Sequence, residues 1–162
     1  MPVITLHTRI KASAEVVFNL SRSVDLHTLS TAQTKEKAIA GRTSGLMEYD
    51  ETVTWEATHF YIRQKLSSKI TVFNSPDSFT DEMVKGIFKH FRHKHIFEYD
   101  SQSGITTMTD VFDYESPLGW LGKLADVLFL KRYMTNFLKE RNRAIKEFAE
   151  NTAKHNRILH TY

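Results

Sequence analysis

The stretch Ile105-Thr-Thr-Met-Thr-Asp-Val-Phe-Asp-Tyr114, followed by Glu115-Ser-Pro-Leu-Gly-Trp120, decides how this chain is read. The first ten residues alternate with the two-residue period of a strand, and one face carries Met108, Asp110, Phe112 and Tyr114. That face is apolar and aromatic apart from one carboxylate. Pro117 and Gly119 then break the strand, and helical spacing runs from about Leu118 to Ala153. Leu121, Leu124, Leu128, Phe137, Leu138, Ile145 and Phe148 make its apolar stripe. At 1.5 Å per residue such a helix reaches roughly 50 Å, enough to cross a domain. One long helix after several strands predicts a curved sheet closed over by that helix, with a cavity between them.

Working outward, residues 3–10 alternate as a first strand. Ser13 stands as the N-cap of a short helix carrying Val16, Val17, Phe18 and Leu20, and a second short helix is expected over Val24 to Leu29. Strands are expected over 35–47, turned near Gly41 and Gly45, then over 51–60, 62–73, 79–84 and 89–100. On the 62–73 strand, Leu66, Ser68, Ile70 and Val72 share one face. Asn74-Ser-Pro-Asp-Ser78 and Ser101-Gln-Ser-Gly104 are turns. Successive strands have no helix between them, which argues for an α+β architecture with an antiparallel sheet. The chain reads as a single domain over 1–153, with 154–162 as a flexible tail.

The 162 residues are 41% hydrophobic and 25% charged, a globular composition. There is no apolar run of membrane-spanning length and no signal-peptide pattern. Cysteine is absent, which excludes disulfides, thiolate nucleophiles and thiolate metal sites, and a cytoplasmic location is expected. The net charge of +3 gathers on the last helix, at Lys123, Lys131, Arg132, Lys139, Arg141, Arg143 and Lys146. It reads as a solvated face, and no nucleic-acid motif accompanies it.

Parity along the strands turns His59, His93, His95 and Asp110 inward. Trp55 and Ala57 fix His59, Phe91 and Phe97 fix His93 and His95, and Met108 and Phe112 fix Asp110. A buried carboxylate needs a partner, and His93 or His59 would supply it. Such a pair would hold one imidazole tautomer and turn the other ring nitrogen to a ligand, or act as a general base. A polar network that only fixes strand register is the plainer alternative. His93 and His95 point the same way, as metal ligands do, but no zinc motif frames them, so no metal and no cofactor are expected. His27 is expected at the surface, with the cavity mouth as the alternative. Trp55, Met83, Phe91, Met108, Phe112, Tyr114, Phe129 and Phe137 are candidate cavity walls, and Tyr133 either flanks the cavity or packs.

Five segments also carry a resemblance: Ser21-Arg-Ser-Val-Asp-Leu-His27, Val53-Thr-Trp-Glu-Ala-Thr-His-Phe60, Phe79-Thr-Asp-Glu-Met-Val-Lys-Gly86, Phe88-Lys-His-Phe-Arg-His-Lys-His95, and Met108-Thr-Asp-Val-Phe-Asp-Tyr-Glu-Ser-Pro-Leu-Gly119. Together they resemble an uncharacterised bacterial, ligand-binding branch of the START-like (SRPBCC) superfamily. The resemblance implies the helix-grip fold, a seven-stranded antiparallel sheet around the long C-terminal helix with two short helices, and a hydrophobic cavity. One position departs from the branch: Tyr61 stands where Gly is expected, a bulky residue that would narrow an entrance or change a bulge. The resulting expectation is a non-catalytic protein, monomer or weak homodimer, that binds a small apolar or amphipathic ligand. The ligand would touch Trp55, His59, Met83, Phe91, His93, Met108, Asp110, Phe112, Tyr114 and Phe129. Two alternatives stay open: a polyketide cyclase or aromatase-like enzyme using His93 and Asp110 as acid/base, and a protein-interaction module with a closed cavity.

Overall fold

The computed structural model describes residues 2–59, 61–116 and 129–159. The expected start of the last helix, with Trp120, Leu121, Leu124 and Leu128, lies outside them. Strand β1 (Val3–Ile10) leads into α1 (Ala14–Ser21) and α2 (Val24–Ser30). Then come β2 (Lys37–Gly41), β3 (Thr52–His59), β4 (Ile62–Asn74), β5 (Ser78–Lys85), β6 (His90–Asp100) and β7 (Ile105–Glu115). Helices α3 (Lys131–Ala149) and α4 (Thr152–Leu159) close the described chain. The strands form one seven-stranded antiparallel sheet in the order β1-β7-β6-β5-β4-β3-β2.

Local chemistry sets most boundaries. Ser13 caps α1 through the Val16 N–H, and Ser23 caps α2 through the Leu26 N–H at 3.2 Å. Phe18, on the buried face of α1, meets Phe73, Phe79 and Phe97 edge-on at 5.3–5.5 Å. This packing fastens the helix pair to one end of the sheet. At the other end Ile4, Phe91, Phe112 and Tyr114 pack with Leu138 of α3.

Three expectations need correction. The strand expected over 35–47 is only Lys37–Gly41, because Gly41 and Gly45 take φ of +72° and +80° and turn the chain away. Val72 does not share the inward face: the register shifts between Ile70 and Val72, leaving Val72 exposed and turning Phe73 onto Phe18. The last helix is not continuous to Ala153. It ends at Ala149, and the Asn151 side chain accepts the Lys154 N–H and starts α4. Lys154 to Leu159, expected as tail, is therefore helical, and Ile158 joins the core.

Tyr61 has φ +65° and an exposed side chain. Its backbone occupies the left-handed region, which is the reason glycine suits the position. The ring projects into solvent and does not narrow the interior.

Candidate functional site

A cavity of about 200 Å³ lies under the sheet, between its two packed ends. Val53, Trp55 and Ala57 of β3, Ile70 of β4 and Phe79 of β5 supply apolar wall on the sheet side. Phe91 and His93 of β6 and Phe112 of β7 continue it, and Met134, Phe137, Leu138 and Arg141 of α3 face them. Helix α2 contributes His27 at the edge.

Of the ten residues expected at the site, Trp55, His59, Phe91, His93 and Phe112 line this cavity. Asp110 lies directly behind the wall, fully buried, and meets the cavity through His93. Met108 is one pair of residues further along β7, opposite Phe97, and packs against the Ser21 hydroxyl at 3.4 Å. Tyr114 and the half-buried Met83 belong to the packed cluster around Leu138. Phe129 is 49% exposed and does not line the cavity.

The polar end of the cavity is built by cross-strand register. His93 lies opposite Phe112 and Asp81, and His95 opposite Asp110 and Phe79. Asp110 Oδ1 is 3.0 Å from His93 Nε2 and 2.8 Å from His95 Nδ1, although the second contact is out of line for a full hydrogen bond. Asn142 of α3 donates to Asp110 Oδ2 at 2.6 Å. Arg141 Nη1 stands 3.7 Å from Asp110, and its Nη2 donates to the Ser21 carbonyl at 2.8 Å. On the far side, His95 Nε2 is 3.2 Å from Asp81 Oδ1. His59 is not the partner of Asp110: its Nδ1 is 2.7 Å from the Tyr133 hydroxyl.

Burial, then the neighbouring His95, pushes His93 down to about 4, so its ring is neutral at pH 7. A neutral ring that donates Nε2–H to Asp110 keeps its lone pair on Nδ1. Burial by itself would raise Asp110, but the His93 hydrogen bond and the close His95 ring outweigh it and hold the carboxyl well below the usual range. The same balance, with His95 as donor, lowers Asp81.

A second polar group sits toward β2. Glu36 is buried beside His27, with 3.4 Å between Oε2 and Nε2, and the His27 ring lies 4.2 Å from that of Trp55. Burial opposes the Glu36 charge, but His27 prevails and lowers its carboxyl. Burial lowers His59 and raises Tyr133.

Sequence reasoning missed four of these groups, Asp81, Arg141, Asn142 and Glu36, and gave His27 the cavity mouth only as its second choice. Asp81 was legible, because it shares strand parity with Phe79 and Met83. Arg141 and Asn142 fall at helical spacing between Leu138 and Ile145, but charge and polarity suggested a solvated face. Arg141 is 6% exposed, against the exposed Lys139 and Arg143 beside it. His27 was expected at the surface and instead lines the cavity. Glu36 has no local signal, since its burial comes from the turn that docks α2 on β3.

No protein-family model and no curated protein sequence matches this chain. Solved structures do match in shape. A protein from Thermus thermophilus aligns with a TM-score of 0.72 at 14% identity, covering 90% of this chain and 95% of that one. A START superfamily protein from Mycobacterium smegmatis aligns at 0.68 and 11% identity, covering 91% and 97%. The fold is START-like. The major latex-like protein 151 from Panax ginseng has the same arrangement, at 0.65 and 18% identity over 91% and 97%. Identities this low establish the START-like architecture and carry no activity. No helix among the described residues is long and apolar enough to cross a membrane.

Proposed function

We propose that this chain binds a small amphipathic molecule inside the START-like cavity without transforming it. The observation that carries the reading is an apolar space of about 200 Å³ with His93 in its wall. A cavity of ~150 Å³ takes a benzene-sized molecule, and drug-sized pockets run to ~300–1,000 Å³. A single ring system or a short chain therefore suits the space, and a whole phospholipid does not. Apolar ligand surface gains roughly 25 cal/mol per Å² on burial. The Nδ1 lone pair of His93 accepts a hydrogen bond from the ligand and orients it.

Acid/base catalysis by His93 and Asp110 is the weaker reading. An efficient general base titrates near the working pH, whereas His93 at about 4 is a poor base at pH 7. A cytoplasmic site of action, as monomer or weak homodimer, belongs to the same proposal, and the lack of cysteine agrees with a reducing compartment. Native mass spectrometry of freshly purified protein tests the reading. A co-purifying molecule released on unfolding is the expected result. A bare protein that also fails to take up the apolar dye anilinonaphthalene sulfonate would overturn it.

A further inference from the structure

We infer that Asp81, His93 and His95 form a binding site for a divalent transition-metal ion at the polar end of the cavity. The site rests on ligand geometry, and a bound ion would take the Nδ1 lone pair of His93 that otherwise accepts from the molecule in the cavity.

One candidate ligand atom from each of the three residues lies within 4.8 Å of the others. Two imidazoles and a carboxylate suit first-row divalent metals. The groups behind them are arranged as supports for metal ligands. Asp110 Oδ1 faces His93 Nε2 and His95 Nδ1, one nitrogen of each ring, and Asn142 holds the other oxygen of that carboxylate. Metal-bound histidines regularly hand their second nitrogen to a carboxylate in this way, which fixes ring orientation and raises basicity.

In the metal-free chain His95 donates Nε2–H to Asp81 Oδ1 at 3.2 Å, and moving that proton to Nδ1, which stands 2.8 Å from Asp110 Oδ1, frees the Nε2 lone pair for an ion held between the ring and Asp81. Ligands bound tetrahedrally at about 2.1 Å lie roughly 3.4 Å apart, close to this spacing. Charge agrees: among the described residues Asp81 and Asp110 face Arg141 alone as a fixed cation, which leaves the cluster one positive charge short. All three ligand residues border the cavity, so a bound ion would present open positions to its contents.

The competing occupant is the proton on His95 Nε2, and cobalt(II) separates the two. Full-length protein is stripped with EDTA and titrated with Co²⁺, followed by calorimetry and visible absorption. A single equivalent should bind, and wild-type NMR with diamagnetic Zn²⁺ in place of Co²⁺ should show the His93 and His95 ring signals shifted while those of exposed His7 stay in place. Asp81→Asn and His95→Gln should abolish binding, with circular dichroism checking the fold. Asp110→Asn, which loses the carboxylate behind both rings, should weaken binding about 10- to 100-fold. His90→Gln should change nothing. Absence of uptake by the wild type, uptake that survives Asp81→Asn, or unshifted His93 and His95 signals would each overturn the site.

Discussion

Asp110 gathers His93, His95, Asn142 and Arg141 around a fully buried carboxylate, so acid should attack the fold here first. In the unfolded chain His93 takes its proton near 6.5, but in the folded protein only near 4. Between those values the unfolded state holds the extra proton, so stability falls as pH falls. The full loss is on the order of 3 kcal/mol for His93 at 1.36 kcal/mol per pKa unit. His59, lowered in the same direction, adds to the same window. Asp110 contributes stability that is present above its ordinary value of 3.8 and is lost below it, as pH falls through its lower folded value. Urea unfolding in EDTA should therefore weaken from pH 6.5 to 4, and His93→Gln should flatten that slope. An unchanged slope in the variant would place the acid sensitivity elsewhere. The inward placement of His93 and Asp110 was legible because strand parity fixes it. The choice between His93 and His59 as partner was not, since it depends on which strands are neighbours.

At the level of the element, α3 is held to the sheet by polar bonds as well as by Leu138 and Ile145. Asn142 reaches Asp110 on β7, and Arg141 reaches the end of α1. Asn142→Leu keeps the side-chain size and removes the donor from a buried, charged acceptor. The expected cost is about 1–3 kcal/mol or more, read as a lower urea midpoint. A midpoint within error of the wild type would show that the bond contributes nothing net. Element types were legible from period and capping: α1 and α2 start where Ser13 and Ser23 place them. Their ends were less so, because the irregular step at Val72 and the restart at Asn151 depend on hydrogen bonds that periodicity does not report.

For the whole molecule, the proposed function rests on space left between two packed ends. Ala57 lines that space from β3 and is itself buried. Ala57→Leu should fill part of the cavity and abolish dye uptake and ligand co-purification, with thermal stability kept or raised because a void is being filled. Retained binding would mean that the ligand occupies some other surface. The order of elements up to the last helix, the antiparallel sheet and the inward faces of the strands short of Val72 were determined by the sequence alone, since side-chain period and turn chemistry are local properties. Only the tertiary structure decided that Arg141, Glu36 and His27 are interior, that Phe129 is not, and that Asp81 joins the two histidines. Those facts depend on which distant segments meet, and a charged residue gives no local sign of whether its partner will be a buried carboxylate or water.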